Sequence, residues 1–524
     1  MPAIDPPPLN AAPGESVSAM VAASAARYPD HTALICDDER IAWTDFDRRV
    51  NRVANALIAA GLKTEEKVAI LASNSAEYVQ VFIGIIRAGG CAVPLSTMAA
   101  AAALQKMMVD SGSRFLFLSE SMRPLAAPFI DSLDGLVDGG LIALDFQAPG
   151  WTGFQDWIAA APDTPPDVEV GLGHDFNIIY SSGTTGVPKG ILHSNGVRTH
   201  LIRSFENFGF SHDSITVLST PLYSNTTIVA LLPTLGLGGT VVVMRKFDVL
   251  GFLGLVERER ATHTMLVPVQ YQRIMAHPEF SAFNLSSMQV KLSTSAPLRA
   301  PLKRDILDRF PGRMIEIYGL TEGGGGATLD CSAYPDKLAS VGQPGLGTEM
   351  KIVDEQGNPV PPGVTGEIVA RSPSMMTGYF KRDDLTEEIL WRDKDGTVYF
   401  RSGDVGSLDE DGFLFLSARK KDMIISGGLN IYATDLEIAL GGHPDVDDVA
   451  VIAVPSERWG ETPLALVVRR NGADIATDDL LEWVNGRLGK SQRISAIEFR
   501  DELPRSSIGK ILKRELRQPY WEGA

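Results

Sequence analysis

"KVAILASNSAEYVQVFIGIIRAGGCAVPL", residues Lys67 to Leu95, changes its hydrophobic period twice. Val68 to Leu71 and Cys91 to Leu95 are short apolar runs, the pattern of strands buried on both faces. Between them apolar residues recur at Tyr78, Phe82, Ile85 and Ile86, one face of a helix. Asn74 and Glu77 have the spacing of a capping box, and Gly89-Gly90 close the helix. The stretch predicts strand, helix and strand, the unit of a sheet whose strands are joined by crossover helices.

Working outward, the same alternation recurs through "TVVVM" (240–244), "THTMLV" (262–267) and "MIEIYG" (314–319), so the fold class is predicted to be α/β. From 340 to 416 the pattern shifts to short β-segments separated by D-E-x-G, P-P-G and D-E-D-G turns, a small β-rich subdomain. After "SARKKDMIISGG" (417–428) it returns to mixed α and β. The predicted organisation is a flexible lead-in over 1–16, a large N-terminal domain of α/β subdomains plus the β-rich subdomain over 17–420, and a small α+β C-terminal domain over 421–524, with the boundary near Lys421.

Composition narrows the function. The 524 residues carry a net charge of −17, nearly all of it ahead of Ala418, which opposes non-specific binding to nucleic acid or anionic membrane. Within Arg487 to Arg517 nine basic residues face four acidic ones, a solvated helix face or an edge for a polyphosphate. Three cysteines without a C-x-x-C make neither a disulfide framework nor a zinc site, and fit a reducing cytoplasm. The proline-rich start "MPAIDPPPLNAAPGES" lacks the regions of a signal peptide. Thr226 to Met244 is interrupted by Pro233, Gly236, Gly238 and Gly239, so it reads as a buried helix and a strand, and no transmembrane segment is expected. The eight histidines form no H-E-x-x-H, there is no G-x-S-x-G, and His193, His200 and His263 read as packing or surface residues.

"YSSGTTGVPKG", Tyr180 to Gly190, combines glycines, hydroxyls and one lysine, a composition suited to cradling phosphate. It is not a Walker A loop: Pro188 precedes Lys189, Gly190 stands where Ser or Thr is required, and the strand-like "GILHS" follows. The loop is predicted to join two strands, with the next helix starting at Ser194-Asn195. Alone, such a loop is a surface turn as often as a ligand site.

Four further motifs follow in order: "STSAPL" and "IEIYGLTE", then "YFRSGDVG" running on to "ARKKDMIISGGLNIY", and "LPRSSIGKILKREL". With them the chain resembles the adenylate-forming superfamily of acyl-CoA synthetases, peptide-synthetase adenylation domains and firefly luciferase, and most resembles an AMP-forming acyl-CoA synthetase. The resemblance implies that Ser181, Ser182, Gly183, Thr184, Thr185 and Lys189 contact the ATP phosphates, that Tyr318 stacks on adenine, that Thr321 meets the α-phosphate and that Glu322 ligates Mg²⁺. It implies Asp404 and Arg419 at the ribose and phosphate, Lys421 as the hinge of a mobile C-terminal domain, Gly427 and Gly428 at the coenzyme A tunnel, and Lys510 as the catalytic lysine. Ser402 and Ala418 depart in minor ways from the family pattern.

The acyl pocket falls to Tyr223, Ser224, Asn225, Ser295, Ala296, Gly323 and Gly324. Ser224 occupies a position where many family members carry a gating histidine. The glycines after Glu322 suggest room for a bulky apolar or aromatic acyl group. The implied activity is an ATP-dependent carboxylate–CoA ligase that adenylates a hydrophobic acid and passes the acyl group to coenzyme A. Its partners are a small-molecule acid and CoA, with no nucleic acid; the oligomeric state stays open. The alternatives are an enzyme that loads a carrier protein's phosphopantetheine, or a protein that binds ATP without catalysis. "PLYSNTT" has no acidic residue to hold an amino group, which disfavours amino acids as substrates.

Overall fold

Lys67–Leu71 and Cys91–Pro94 pair in parallel, with Lys67 opposite Cys91 and Ile70 opposite Pro94, and the helix Ala76–Arg87 crosses between them. The computed structural model describes residues 15–181, 189–419, 422–426, 429–488, 492–506 and 509–522. The crossover helix is buried on almost every side, and Gly84 lets it approach Val53 on the helix Trp43–Ala59. Buried Arg87, in its last turn, is neutralised by Asp47 and hydrogen-bonded to Asn51.

The cap differs from the expected one. Ser75, the residue next to the first helical position, accepts the Tyr78 N–H at 3.1 Å. Asn74 faces the other way. Its amide donates to the carbonyls of Thr220 and Met244, 3.0 Å each, and accepts the Leu222 N–H at 2.8 Å. An amide serves both donors and acceptors, whereas a hydroxyl beside the first turn suffices as a cap, so the two neighbours divide the work.

The chain divides into two compact units, one of Met1–Glu349 with Ala370–Phe400 and one of Met350–Val369 with Arg401–Ala524. Among the described residues, the first unit holds an eight-stranded sheet containing the Lys67 and Cys91 strands and a nine-stranded sheet whose parallel centre includes Ile215–Leu218, His263–Leu266, Val290–Ser293 and Arg313–Gly319. These strands are largely buried and covered by helices, with a few buried polar residues such as Lys291 and Glu316 among the apolar ones. Thr226 to Met244 forms the helix Asn225–Gly236 and the strand Thr240–Val243, and no helix of the described residues is long and apolar enough to cross a membrane.

Short strands run through the β-rich stretch: Glu349–Val353, Gly366–Arg371, Leu390–Arg392, Val398–Leu408 and Leu414–Arg419. In the second unit a sheet of Met423–Ser426, Leu429–Tyr432, Val446–Ser456, Gly460–Arg469 and Ala496–Arg500 carries its own core, in which Ile424, Leu436, Val451, Val467, Leu480 and Val484 pack together. The cysteines Cys36, Cys91 and Cys331 are free and buried.

Candidate active site

Ser181 and Lys189 face each other at the ends of the antiparallel strands Asp175–Ser181 and Lys189–Ser194, so the phosphate-loop segment joins two strands as expected. Ser182, Gly183, Thr184 and Thr185 lie outside the described residues. A Cβ on Gly190 would come within 2.8 Å of Ile178 Cγ2 and 3.2 Å of the Tyr180 ring, which is why glycine stands where a Walker loop needs a hydroxyl. Ser194 then caps the helix Asn195–Ser204.

The outgoing strand pairs on its far side with Gly378–Tyr379, setting Tyr379 opposite Ile191. Lys189 Nζ lies 5.2 Å from the centroid of the Tyr379 ring, and the Tyr379 hydroxyl donates to Glu322 Oε1 at 3.0 Å. Burial and the Glu322 charge push the Tyr379 pKa up, which keeps the phenol a donor. Sequence reasoning missed this residue; it belongs to a two-residue strand with no motif around it.

Thr321 and Glu322 follow the end of the strand Arg313–Gly319, which carries half-buried Tyr318. Four tethers hold them and their neighbour Gly323. His193 Nε2 lies 2.7 Å from the Thr321 carbonyl, the Met376 N–H donates to the Glu322 carbonyl at 2.8 Å, Ser372 Oγ donates to the Gly323 carbonyl at 2.6 Å, and Tyr379 holds the Glu322 side chain. Gly323 has φ +66°, and a Cβ there would stand 1.7 Å from the Ser374 carbonyl oxygen; one on Gly324 would stand 2.2 Å from Phe400 Cβ. Close packing against these two residues explains the glycines, beside any room they leave for an acyl group.

Glu316 of the same strand is buried, paired with buried Lys303, and accepts the Leu298 N–H at 3.1 Å. It thereby fixes "STSAPL", where Ser295 adopts φ +80° and its hydroxyl lies 2.5 Å from Thr226 Oγ1. Ser295 and Ala296 are thus brought beside the first turn of the helix Asn225–Gly236. Ser224 caps this helix by accepting the Thr226 N–H at 3.3 Å, Tyr223 is buried, and Asn225 Oδ1 accepts from Arg198 at 3.0 Å. Where a gating histidine was looked for, the chain has a helix cap. His200 and His263 are buried packing residues, but His193 is more than that, being buried and bonded on both ring nitrogens.

In the second unit Asp404 lies opposite Arg419 across Val398–Leu408 and Leu414–Arg419, with Arg419 Nε 3.2 Å from Asp404 Oδ1. Ser402 does what a threonine hydroxyl would, donating to the Ile368 carbonyl at 2.8 Å and accepting the Asp404 N–H at 3.0 Å. Lys510 sits in a tight turn: its N–H donates to Ser506 Oγ at 3.2 Å, its carbonyl accepts the Ser506 N–H at 2.8 Å, and Gly509 takes φ +75°. Arg505, paired with Asp448, also donates to the Gly509 carbonyl. Several cations expected on a polyphosphate edge have local partners: Arg487 on the Trp483 ring, Arg500 with Glu498 and Lys513 with Glu437. Lys421, Gly427 and Gly428 lie outside the described residues. Among the described residues no group of three His, Cys, Asp or Glu side chains could hold a metal ion.

The family model described as AMP-binding enzyme matches residues 21–380. The chain belongs to this family. The model of the AMP-binding enzyme C-terminal domain matches residues 435–510, the part that carries Lys510. The enzyme is 36% identical over 495 residues to a feruloyl-CoA synthase of an Amycolatopsis species, covering 94% of this chain and 96% of that one. It is 33% identical over 504 residues to the indoleacetate–CoA ligase of Aromatoleum aromaticum, covering 94% and 95%. Among solved structures, ATP-bound MatB from Rhodopseudomonas palustris superimposes with a TM-score of 0.86 at 28% identity, covering 97% of this chain and 99% of that one. The AMP-binding enzyme is therefore an AMP-forming carboxylate–CoA ligase with the adenylate-forming fold, dependent on ATP and using CoA as a substrate.

Proposed function

We propose that the acid is an aryl or arylalkyl carboxylic acid and that the residues brought together around Glu322 carry its adenylation. The observation that carries the nucleotide chemistry is the Tyr379 bridge, which places the loop lysine Lys189 and the carboxylate of Glu322 on one side chain. The acid class draws its support from relatives named for feruloyl and indoleacetate substrates.

A carboxylate cannot expel oxide, so it first becomes an acyl-adenylate, with pyrophosphate leaving and later AMP as the leaving group. Lys189 and the hydroxyls of Ser181, Ser182, Thr184 and Thr185 bind the departing phosphates, and Thr321 orients the α-phosphate for attack. Glu322 fits Mg²⁺, a hard cation that takes one or two carboxylates and shares phosphate oxygens. Bound there, the cation neutralises phosphate charge. Asp404 and Arg419 bind the ribose. Lys510 bridges acid and α-phosphate, bringing two anions into attack geometry. In the second half-reaction, rotation of residues 421–524 about Lys421 withdraws Lys510 and brings Gly427-Gly428 to the path of the CoA thiol, where a side chain would obstruct it. The three buried, unpaired cysteines suit a reducing compartment such as the cytoplasm.

Carboxylate-dependent ATP–pyrophosphate exchange without CoA tests this. Exchange with aryl and arylalkyl acids over straight-chain alkyl acids is the expected result, and the reverse preference would overturn the acid class.

A further inference from the structure

His193, Arg198 and Asn177 form a buried polar cluster, with half-buried Asn225 at its edge, between the outgoing strand of the phosphate loop and the first turn of the helix Asn225–Gly236. Arg198 is 3% exposed, and among the described residues no carboxylate pairs with it. Its acceptors are neutral: Nε donates to Asn177 Oδ1 at 3.0 Å, and one terminal nitrogen donates to Asn225 Oδ1 at 3.0 Å and to His193 Nδ1 at 3.2 Å. The Asn177 amide nitrogen lies 3.3 Å from the same His193 nitrogen.

These donors settle the tautomer. Guanidinium can only donate, so Nδ1 of His193 must be the unprotonated nitrogen, and the ring proton resides on Nε2, where it donates to the Thr321 carbonyl at 2.7 Å. The same logic turns the Oδ1 of Asn225 toward Arg198 and its NH₂ group away. Burial, then the Arg198 charge, holds the His193 pKa well below the ordinary imidazole range. A neutral ring with this one tautomer is the form the cluster sustains.

Thr321 needs such a hold. Four consecutive glycines, Gly323 to Gly326, follow Glu322, and a glycine run does not fix its own backbone. We propose that Arg198 and His193 are positioning residues for adenylation: Arg198 fixes the His193 tautomer that anchors the Thr321 peptide and, through the same nitrogen, the amide orientation of Asn225. The inference rests on the assignment of Thr321 to the α-phosphate.

Two conservative substitutions separate this role from packing. His193→Gln keeps an N–H donor at the reach of Nε2; His193→Asn keeps polar atoms only at the reach of Nδ1. In pyrophosphate exchange the Gln variant should stay close to wild type, while the Asn variant loses kcat by roughly 10²-fold, the scale of a misplaced reacting group, with a smaller change in KM for ATP. Equal losses in the two variants, or losses that follow their thermal melting points, would overturn the proposal. Thr321→Val, assayed in parallel, should be impaired; full activity there would overturn the underlying assignment instead. On the wild-type enzyme, ¹⁵N resonances of His193 should report a neutral, Nε2-protonated ring from about pH 6 to 8, a pattern that Arg198→Met disturbs. An imidazolium, or a proton on Nδ1, would equally overturn it.

Discussion

At the scale of single residues, one phenol governs how Glu322 presents its carboxylate. Tyr379→Phe keeps the ring beside Lys189 and removes only the donor to Glu322. A hydrogen bond to a charged group contributes about 1.5–3 kcal/mol, so kcat/KM for ATP should fall roughly tenfold or more, with the fold unchanged. Exchange assays across Mg²⁺ concentrations check this, and a raised Mg²⁺ requirement is the accompanying sign. Lys510→Ala acts on a different step: exchange should vanish while thioester formation from supplied acyl-adenylate survives. Loss of both half-reactions in folded protein would contradict the role given to Lys510. Lys189, Thr321, Glu322 and Lys510 were selected as candidates in sequence because each sits inside a contiguous motif. Tyr379 and Arg198 were not, since their partners lie on other elements and only strand pairing and helix packing bring them close.

At the scale of elements, the entry to the helix Ala76–Arg87 distinguishes two neighbours. Asn74→Ala would orphan three buried backbone groups, each costing about 1–3 kcal/mol when left unpaired, whereas Ser75→Ala should cost about 1 kcal/mol as an ordinary lost cap. Urea unfolding should therefore rank Asn74→Ala well above Ser75→Ala; the opposite ranking would restore the capping box that the sequence spacing suggested. Sequence placed the helix correctly because its period is local. It misplaced the cap because the choice between adjacent Asn and Ser is made by a loop 146 residues away. Glu316→Gln belongs to the same scale. It leaves Lys303 charged and buried without its counter-ion, a loss of about 3–5 kcal/mol, and a melting-point series on the variant would show it.

At the scale of the whole molecule, buried neutral histidines tie stability to pH. Burial lowers the pKa of His200, and of His263 to about 4, and holds His193 well below the usual range. In the unfolded chain all three titrate near ~6.5. Below that pH the unfolded state binds protons that the folded state refuses, so stability falls as pH drops from about 6.5 toward 4, each group contributing up to about 1.4 kcal/mol per pH unit. Melting curves across this window should steepen on the acid side, and His263→Phe should flatten them; an unchanged slope would contradict the assignment. The α/β class was readable in the first unit because buried parallel strands appear as continuous apolar runs, as at both ends of Lys67–Leu95. The compact units were harder to read, since Met350–Val369 groups with the C-terminal residues while Ala370–Phe400 groups with the N-terminal ones, an interleaving that no local pattern announces.

The three cysteines give this molecule a built-in clock. Cys36, Cys91 and Cys331 all belong to the first unit, and the second has none. Burial raises each thiol pKa, that of Cys331 to about 12, so the reactive thiolate is suppressed twice, by access and by ionisation. Alkylation can then proceed only through opening of the surrounding structure. Mass-resolved labelling of the wild-type enzyme, with and without ATP and acid, would time the breathing of the first unit alone, without introducing a probe.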